Sequence, residues 1–327
     1  MLIAMTNTDV IDIAPSGDVV LICAPSEKSD MPHRLRVSSA ILSLASPVFK
    51  ALLGPKFREG NTLASNGYVE VPLPDDAVEP MIVLLKVLHW SPDSMSLVPK
   101  IDEMFIIGAV TDKYDCISAI SHSAHFWISS ATLASVDAET AQLITLARIF
   151  RQDALFTQLC DKLIMQAVGN IAPPVAAKVV GLEALFLYVE RERNRLRAGI
   201  MKVIEDRIGH EAGPYSCNAS KECPYGGSRL NELVSRLNKK ELWPAENLQK
   251  VSVEVSIQKL RAFSFEWLQN IKLCSDECHG PCWRSHAHQH ASRVQNGVEM
   301  VMTTRNRFCL QCVRDGDMES RQKCKHT

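Results

Sequence analysis

The fold of the N-terminal part is decided by one stretch, Leu35-Arg36-Val37-Ser38-Ser39-Ala40-Ile41-Leu42-Ser43-Leu44-Ala45-Ser46-Pro47-Val48-Phe49. From Ser39 onward its apolar residues recur at the i, i+3, i+4 and i+7 spacing of a helix that buries one face. Ser46-Pro47 interrupts the pattern, because proline lacks the amide proton that a helix interior needs but suits the first helical position, and serine suits the N-cap before it. The stretch therefore predicts two short helices rather than one long helix.

Strand patterns flank this helix pair on both sides. Residues 18 to 23 form a short apolar, β-branched run after Gly17, as expected for a strand buried on both faces, and a charged loop follows from Ser26 to Arg34. Gly54-Pro55 ends the second helix. Residues 68 to 73 alternate with period two, as in a half-buried strand, and Pro72 indicates that this strand is at an edge of the sheet or is ending.

Two further helices are predicted before residue 125. Asp75-Asp76 is expected to cap a helix that runs to Leu88, with the acidic pair at the positive end of the helix dipole. An apolar helix over 101 to 110 then precedes Lys113-Tyr114-Asp115. Short strands alternating with helix pairs predict an α+β fold, in which a short β-sheet is flanked by helix pairs.

This order of elements resembles the BTB/POZ fold over roughly residues 14 to 125. Gly17-Asp18-Val19 and Lys113-Tyr114-Asp115 match the flanks of that family, and residues 35 to 49 resemble its core segment, a leucine-rich helix that ends in Ser-Pro-x-Phe. The resemblance implies that six residues define the fold: Asp18, Ser38, Leu42, Ser46, Phe49 and Tyr114.

One position departs from the family pattern. Ser38 stands where the family usually has a histidine, so the buried aspartate–histidine pair of the family cannot form here between Asp18 and residue 38. Two alternatives satisfy the carboxylate: either His33 moves in, or backbone amides bind Asp18.

The resemblance implies a docking role. BTB domains pair with themselves or with other BTB domains, and some bind a cullin scaffold as substrate adaptors of ubiquitin ligases. Such adaptors often carry a hydrophobic-x-Glu motif after the second helix of the pair, where this chain has Phe57-Arg58-Glu59. An aromatic anchor beside an orienting carboxylate suits a protein interface. The alternative is that Phe57 folds onto its own domain and Glu59 is solvated.

The remainder of the chain is expected to be mainly helical. We divide the sequence into an N-terminal extension (1–13), the BTB/POZ domain (14–125), a helical extension (140–210) and a helical Cys/His-rich region (211–327). This layout, with a helical middle and a Cys-Leu-x-Cys-Val end, resembles fungal BTB proteins.

Eight of the eleven cysteines fall between Cys217 and Cys324. Cysteines two to four residues apart can supply one edge of a zinc tetrahedron, as Cys309 and Cys312 would. Structural zinc, reduced thiols and disulfides all remain open for this region. If zinc binds, the expected ligands come from Cys217, Cys223, Cys274, Cys278, Cys282, Cys309 and Cys312.

Two other features of the C-terminal region bear on ligands. His286-x-His288-x-His290 could hold a metal if it were a strand, whereas in a polar loop these histidines would be solvent-exposed. Six basic residues near the end could contact nucleic acid or form a solvated tail: Arg305, Arg307, Arg314, Arg321, Lys323 and Lys325.

Composition narrows the classes of function. The formal net charge is −1, so the chain as a whole has no electrostatic preference for nucleic acid, and no apolar run is long enough to cross a membrane. The N-terminus has no export signal, so we expect an intracellular protein of the cytoplasm or nucleus. No phosphate-binding loop, hydrolase elbow or metalloprotease motif occurs, and we expect no enzyme.

Three functional classes follow from these observations. The first is a BTB oligomerisation or adaptor protein. The second is a BTB-linked nuclear regulator that contacts nucleic acid through its basic Cys-rich end. The third is a chain whose zinc-stapled domain binds a separate protein. We expect the principal partner to be a second copy, another BTB protein or a cullin scaffold.

Overall fold

A computed structural model describes residues 10–25, 31–132, 137–212, 226–270 and 286–315. These ranges contain four strands and fourteen α-helices, so the predicted α+β class is confirmed. The internal contacts divide the chain into two compact units, Met1–Phe156 and Thr157–Thr327.

The first unit contains a mixed four-stranded sheet in the order β1-β3-β2-β4. Its strands are β1 (Val10–Asp12), β2 (Val19–Cys23), β3 (His33–Val37) and β4 (Val69–Leu73). β2 and β3 are antiparallel, whereas β4 runs parallel to β2 and β1 runs parallel to β3. β2 is almost entirely buried, as its apolar run predicts.

One edge strand of the sheet, β4, was predicted from the sequence, and the other, β1, was not. β4 is an edge strand whose side chains alternate between buried and exposed, which confirms the prediction made from its pattern and from Pro72. β1 was not predicted. With only three residues it has no measurable periodicity, and its pairing with β3 is a tertiary contact.

The predicted helix pair is confirmed as α1 (Ser39–Ala45) and α2 (Pro47–Leu52). Ser46 is the N-cap of α2, and its Oγ accepts a hydrogen bond from the backbone N–H of Phe49 at 3.0 Å. Leu42 and Phe49 are fully buried. A proline at the first helical position and a serine cap before it therefore turn the chain between two helices that share one core.

Five more helices begin and end within the first unit. α3 packs against β4, α4 packs against α5, and α7 contacts both α5 and α6. The indole of Trp127 is fully buried, and its ring and that of Phe150 lie edge to face with 6.3 Å between centroids. The helices are α3 (Arg58–Asn66), α4 (Val78–Leu88), α5 (Ile101–Lys113), α6 (Ser121–Thr132) and α7 (Asp137–Ile149).

The prediction that Asp75-Asp76 caps α4 is wrong. The N-cap is Ala77, and it makes no side-chain cap bond. Asp76 is instead buried, and its carboxylate accepts hydrogen bonds from Lys113 Nζ at 2.7 and 2.8 Å and from Tyr114 Oη at 2.7 Å. A buried carboxylate requires such partners, and a partner 38 residues away outcompetes the adjacent helix end.

Tyr114 connects the end of α5 to the helix pair. Its ring stacks on Phe49 with 4.3 Å between centroids, and its carbonyl accepts a hydrogen bond from Ser46 Oγ at 2.6 Å. Burial, followed by the hydrogen bond to Asp76, raises the pKa of the Tyr114 phenol. Tyr114 is therefore a protonated donor that holds three elements together.

All described residues from Thr157 onward are helical or irregular. A long helix, α10, contacts α11, α12 and α13. Gly199 of α10 lies against Val301, and Gly297 of α13 lies against Val203, so that an added Cβ at either glycine would be 2.9 Å from the valine. The helices are α8 (Asp153–Gln166, which starts in the first unit), α9 (Val175–Val179), α10 (Glu183–Ala212), α11 (Gly226–Lys239), α12 (Val253–Arg261), α13 (His286–Thr303) and α14 (Leu310–Arg314).

Candidate functional sites

The Asp18 carboxylate is bound by Ser39, which follows Ser38, the position where the chain departs from the family pattern. Its two carboxylate oxygens accept hydrogen bonds from the backbone N–H and the hydroxyl of Ser39, at 2.8 and 2.6 Å. Burial raises the pKa of the Asp18 carboxyl, but the bonds from Ser39 outweigh it and lower the pKa below its usual value. The alternative with a backbone amide is therefore the one observed, with a hydroxyl in addition. His33 lies in β3, where it pairs with Cys23.

Four exposed residues of α1 and α2 are apolar. Leu44 is 91% exposed and Val48 is 40% exposed, and Ala40 and Ala51 are exposed beside them. Ala40 and Leu44 follow a four-residue spacing on α1, and Val48 and Ala51 are three residues apart on α2, so each pair lies along one side of its own helix. We call Ala40, Leu44, Val48 and Ala51 the α1–α2 face. A leucine this exposed gains nothing from the fold of its own unit, so the face is a candidate contact surface.

The predicted docking motif lies at the start of α3. Phe57 is the N-cap of α3 and is 47% exposed, Arg58 is exposed, and Glu59 is half-buried. Gly60 is buried so tightly that an added Cβ would be 2.0 Å from the carbonyl oxygen of Gly54. This close approach fixes the start of α3 against the turn after α2, and nearly half of the Phe57 side chain remains accessible.

Three isolated cysteines belong to buried apolar surroundings. Burial raises the pKa of the Cys23 thiol to about 12 and that of Cys116 to about 11, and it also raises the pKa of Cys160. Thiols with such pKa values stay protonated near neutral pH, whereas a nucleophile or metal ligand must be a thiolate. These three cysteines are therefore core residues.

The structure describes two of the predicted zinc ligands. The Sγ atoms of Cys309 and Cys312 lie 3.2 Å apart, and Cys309, the N-cap of α14, accepts a hydrogen bond from the backbone N–H of Cys312 at 3.3 Å. A zinc ion with Zn–S bonds of about 2.3 Å requires about 3.8 Å between two thiolates, so the pair could become one edge with a small opening. The other predicted ligands lie outside the described residues: Cys217, Cys223, Cys274, Cys278 and Cys282.

His290 is neither in a strand nor in an exposed loop, contrary to both alternatives considered for the histidine run. It belongs to α13 and is buried, with its ring stacked on Phe265 at 5.6 Å between centroids. Because the run is helical, the strand alternation considered for these histidines does not occur. The sequence analysis missed its neighbours, His210 and Glu211 at the end of α10.

These three residues form a compact cluster, which we call the α10–α13 cluster: His210, Glu211 and His290. Glu211 Oε1 lies 3.5 Å from His210 Nδ1 and 3.5 Å from His290 Nδ1. Glu211 and His290 are buried, whereas His210 is exposed. The adjacent pair His210-Glu211 is the sequence signal that could have been noticed, but nothing local connects it with residue 290.

Two guanidinium groups border this cluster. Arg207 Nη2 lies 3.4 Å from Glu211 Oε1, and Arg229 Nε lies 3.5 Å from Glu211 Oε2. Burial lowers the pKa of His210, and the charge of Arg207 lowers it further. The two guanidinium groups therefore face Glu211, and His210 is a neutral imidazole near neutral pH.

The basic C-terminal residues are only partly available for external anions. Arg305 is largely buried and pairs with Asp161 at 3.2 Å, and Arg307 lies 3.9 Å from the same oxygen. The backbone N–H and the side-chain amide of Asn306 donate to Glu192 at 2.9 and 3.0 Å. These contacts bind the segment after α13 to α8 and α10. Arg321, Lys323 and Lys325 lie outside the described residues.

No protein-family model matches the chain, and a search of curated proteins finds no significant match. Among the described helices, none combines the length and the apolar character needed to cross a membrane.

Proposed function

We propose that the chain is a protein-interaction protein whose N-terminal unit is a BTB/POZ-type module that pairs with a second copy of itself. The observation that carries the proposal is the α1–α2 face, an apolar surface on the helix pair at the centre of the family resemblance. Pairing through this face would remove Leu44 and Val48 from water, which is favourable in proportion to the apolar area buried.

The contacts of the motif residues support this proposal. The resemblance groups together residues that are far apart along the chain, and these residues are in contact. Ser46 donates a hydrogen bond to the carbonyl of Tyr114, and Phe49 stacks on the ring of Tyr114. The order strand, helix pair, strand and helix is the one expected from the sequence, whereas β3, which begins within the predicted charged loop, and α3 were not predicted.

The size of a stable interface sets a condition on the pair. A typical specific complex buries about 800 Å² on each partner, which is more than four small or medium side chains provide. The flanking residues Ser43, Pro47 and Lys50 would therefore be covered as well, with the apolar residues at the centre and the polar ones at the rim. Two copies related by a twofold axis would each offer the same surface.

Solution mass tests the proposal directly. We expect the full chain to be a dimer in light scattering at micromolar concentration, and Leu44→Glu to shift it to monomer because a carboxylate would be buried at the centre of the contact. Leu187→Glu is the matched control, since Leu187 is also a helical leucine with most of its side chain exposed, at 73%. A monomeric wild-type chain at high concentration, or a dimer unaffected by Leu44→Glu, contradicts the proposal.

We propose a second role, docking to a cullin scaffold, on the observation that Phe57 remains 47% exposed. An aromatic side chain that its own unit covers only in part is a suitable anchor for a partner pocket, and Glu59, two residues further on, would orient the contact. The motif lies outside the α1–α2 face, so that self-pairing and docking are separable.

Binding of the purified chain to a purified cullin scaffold tests this second role. We expect Phe57→Ala combined with Glu59→Ala to weaken binding by about tenfold or more, as for loss of an interface anchor. Phe126→Ala is the control, because Phe126 has a similar exposure of 45%. Unchanged affinity in the double variant, or no binding by the wild-type chain, contradicts it.

A further inference from the structure

We infer that the α10–α13 cluster, His210, Glu211 and His290, is a zinc-class metal site that fastens the end of α10 to the start of α13. This goes beyond the proposed interaction role and beyond the cysteine ligands expected from the sequence. It depends on neither of them, because it uses different residues and the second compact unit.

The distances between the candidate ligand atoms suit a tetrahedral zinc ion. Zinc binds imidazole nitrogen and carboxylate oxygen at about 2.0 to 2.2 Å, so two such ligands at the tetrahedral angle lie about 3.4 Å apart. Both His210 Nδ1 and His290 Nδ1 lie 3.5 Å from Glu211 Oε1. All three ligand atoms lie within 4.8 Å of one another, so that one ion can reach all of them with small adjustments.

The surroundings hold the cluster in position and leave one side open. Phe265 stacks on the ring of His290, and the rings of His210 and His290 lie edge to face with 5.5 Å between their centroids. His210 is exposed, with 40% of its side chain accessible, so an ion can enter from its side. Two imidazoles and one carboxylate supply three ligands and leave the fourth position for water or another donor.

The charges around the cluster decide which class of metal it would take. Arg207 and Arg229 both face Glu211, so the site attracts cations weakly and offers only one carboxylate. Calcium and magnesium need several oxygen ligands and are disfavoured here. Imidazole lone pairs bind borderline transition metals, of which zinc has no redox chemistry. The guanidinium groups should lower the affinity relative to a site without them.

This site is separate from the Cys309–Cys312 pair. Asn306 is bonded to Glu192, and Glu192 and Glu211 are about 28 Å apart along α10 at about 1.5 Å per residue. Cys309 follows Asn306 by three residues, which can span at most about 11 Å. Cys309 thus follows a residue that is anchored to the opposite half of α10, and neither cysteine belongs to the group of ligand atoms around Glu211.

Zinc titration of the metal-stripped full chain tests the inference. We expect His210→Gln and His290→Gln each to remove one equivalent of bound zinc or to weaken it by at least about tenfold. His210 is the safer position because its side chain is exposed, so this variant should fold normally. His122→Gln, at an exposed histidine of α6, and Cys309→Ser combined with Cys312→Ser are the controls that should retain this equivalent.

Cobalt used in place of zinc identifies the ligand atoms. We expect His210→Cys to add a thiolate-to-cobalt charge-transfer band to the difference spectrum against the wild-type chain, because the metal would then contact a new sulfur. The inference is overturned if His210→Gln binds as much zinc as the wild-type chain and His210→Cys shows no new band. This holds both when neither chain binds zinc and when the cysteines bind it in both. The dimer and cullin experiments are unaffected by either result.

Discussion

His89 Nε2 accepts a hydrogen bond from the backbone N–H of Ser38 at 3.0 Å, and His89 Nδ1 lies 2.8 Å from the carbonyl oxygen of Leu85. The carbonyl can only accept, so Nδ1 carries the proton, and Nε2 must be free of one to accept from Ser38. A histidine at the end of α4 therefore lies beside the position where the resembled family has its own histidine, and it is neutral there.

The stability of the chain should depend on pH through His89. Burial lowers the pKa of His89, against the smaller opposite effect of Leu85, so the unfolded chain binds this proton more readily than the folded chain. The stability contributed by neutral His89 is therefore complete above the pKa of histidine in the unfolded chain, about 6.5. This stability is lost as the pH falls through and below that value. Urea unfolding between pH 7.5 and 5, followed by fluorescence, measures the effect. We expect His89→Gln to reduce the pH dependence and His122→Gln to leave it unchanged; equal slopes in wild type and His89→Gln would contradict this.

Removing the Asp76 carboxylate should destabilise the first unit strongly. Asp76→Asn would leave Lys113 and Tyr114 without their charged acceptor, at an expected cost of about 2 to 3 kcal/mol, below that of a fully buried pair because Lys113 is 48% exposed. Asp75→Asn is the matched control, because Asp75 is exposed and adjacent in sequence. Equilibrium unfolding measures both. A similar small effect in the two variants would show that the Asp76 bonds contribute little.

The Ser46 hydroxyl should contribute more to the free energy of unfolding than a helix cap on the surface does. It accepts from the N–H of Phe49 and donates to the carbonyl of Tyr114, and it is fully buried. Ser46→Ala should therefore cost about 2 kcal/mol or more in the free energy of unfolding. Ser38→Ala is the control, because Ser38 is the N-cap of α1 without a side-chain cap bond. The prediction fails if the two alanine variants unfold at the same denaturant concentration.

Arg193 should be needed for the second unit. It is fully buried, and its guanidinium donates to the carbonyls of Ala167 and Gly169, both at 2.8 Å, and to Glu190. Lysine cannot donate from two nitrogens in this fork geometry, so Arg193→Lys should cost about 2 to 4 kcal/mol. Arg191→Lys, at an exposed position of the same helix, should be neutral. Thermal unfolding by circular dichroism compares them, and equal midpoints would refute the role given to Arg193.

Local sequence signals predicted local structure well. The break at Ser46-Pro47 and the alternation that ends at Pro72 depend on backbone chemistry within a few residues, and both are confirmed. The partner of Asp76 could not be predicted in this way, because choosing between a helix end and Tyr114 requires knowledge of the packing. For the same reason, the sequence could not predict that Glu211 lies beside His290 or that β1 pairs with β3.

Pro72 has one further consequence, for association through the open edge of the sheet. The N–H of Val69 points toward β2, where it donates to Asp18, so by the alternation of the strand residue 72 points its missing amide outward. A strand of another chain that approached β4 would find no N–H donor at Pro72, and the opposite edge, β1, comprises three of the described residues. Both edges of the described sheet therefore disfavour the addition of a strand from another chain.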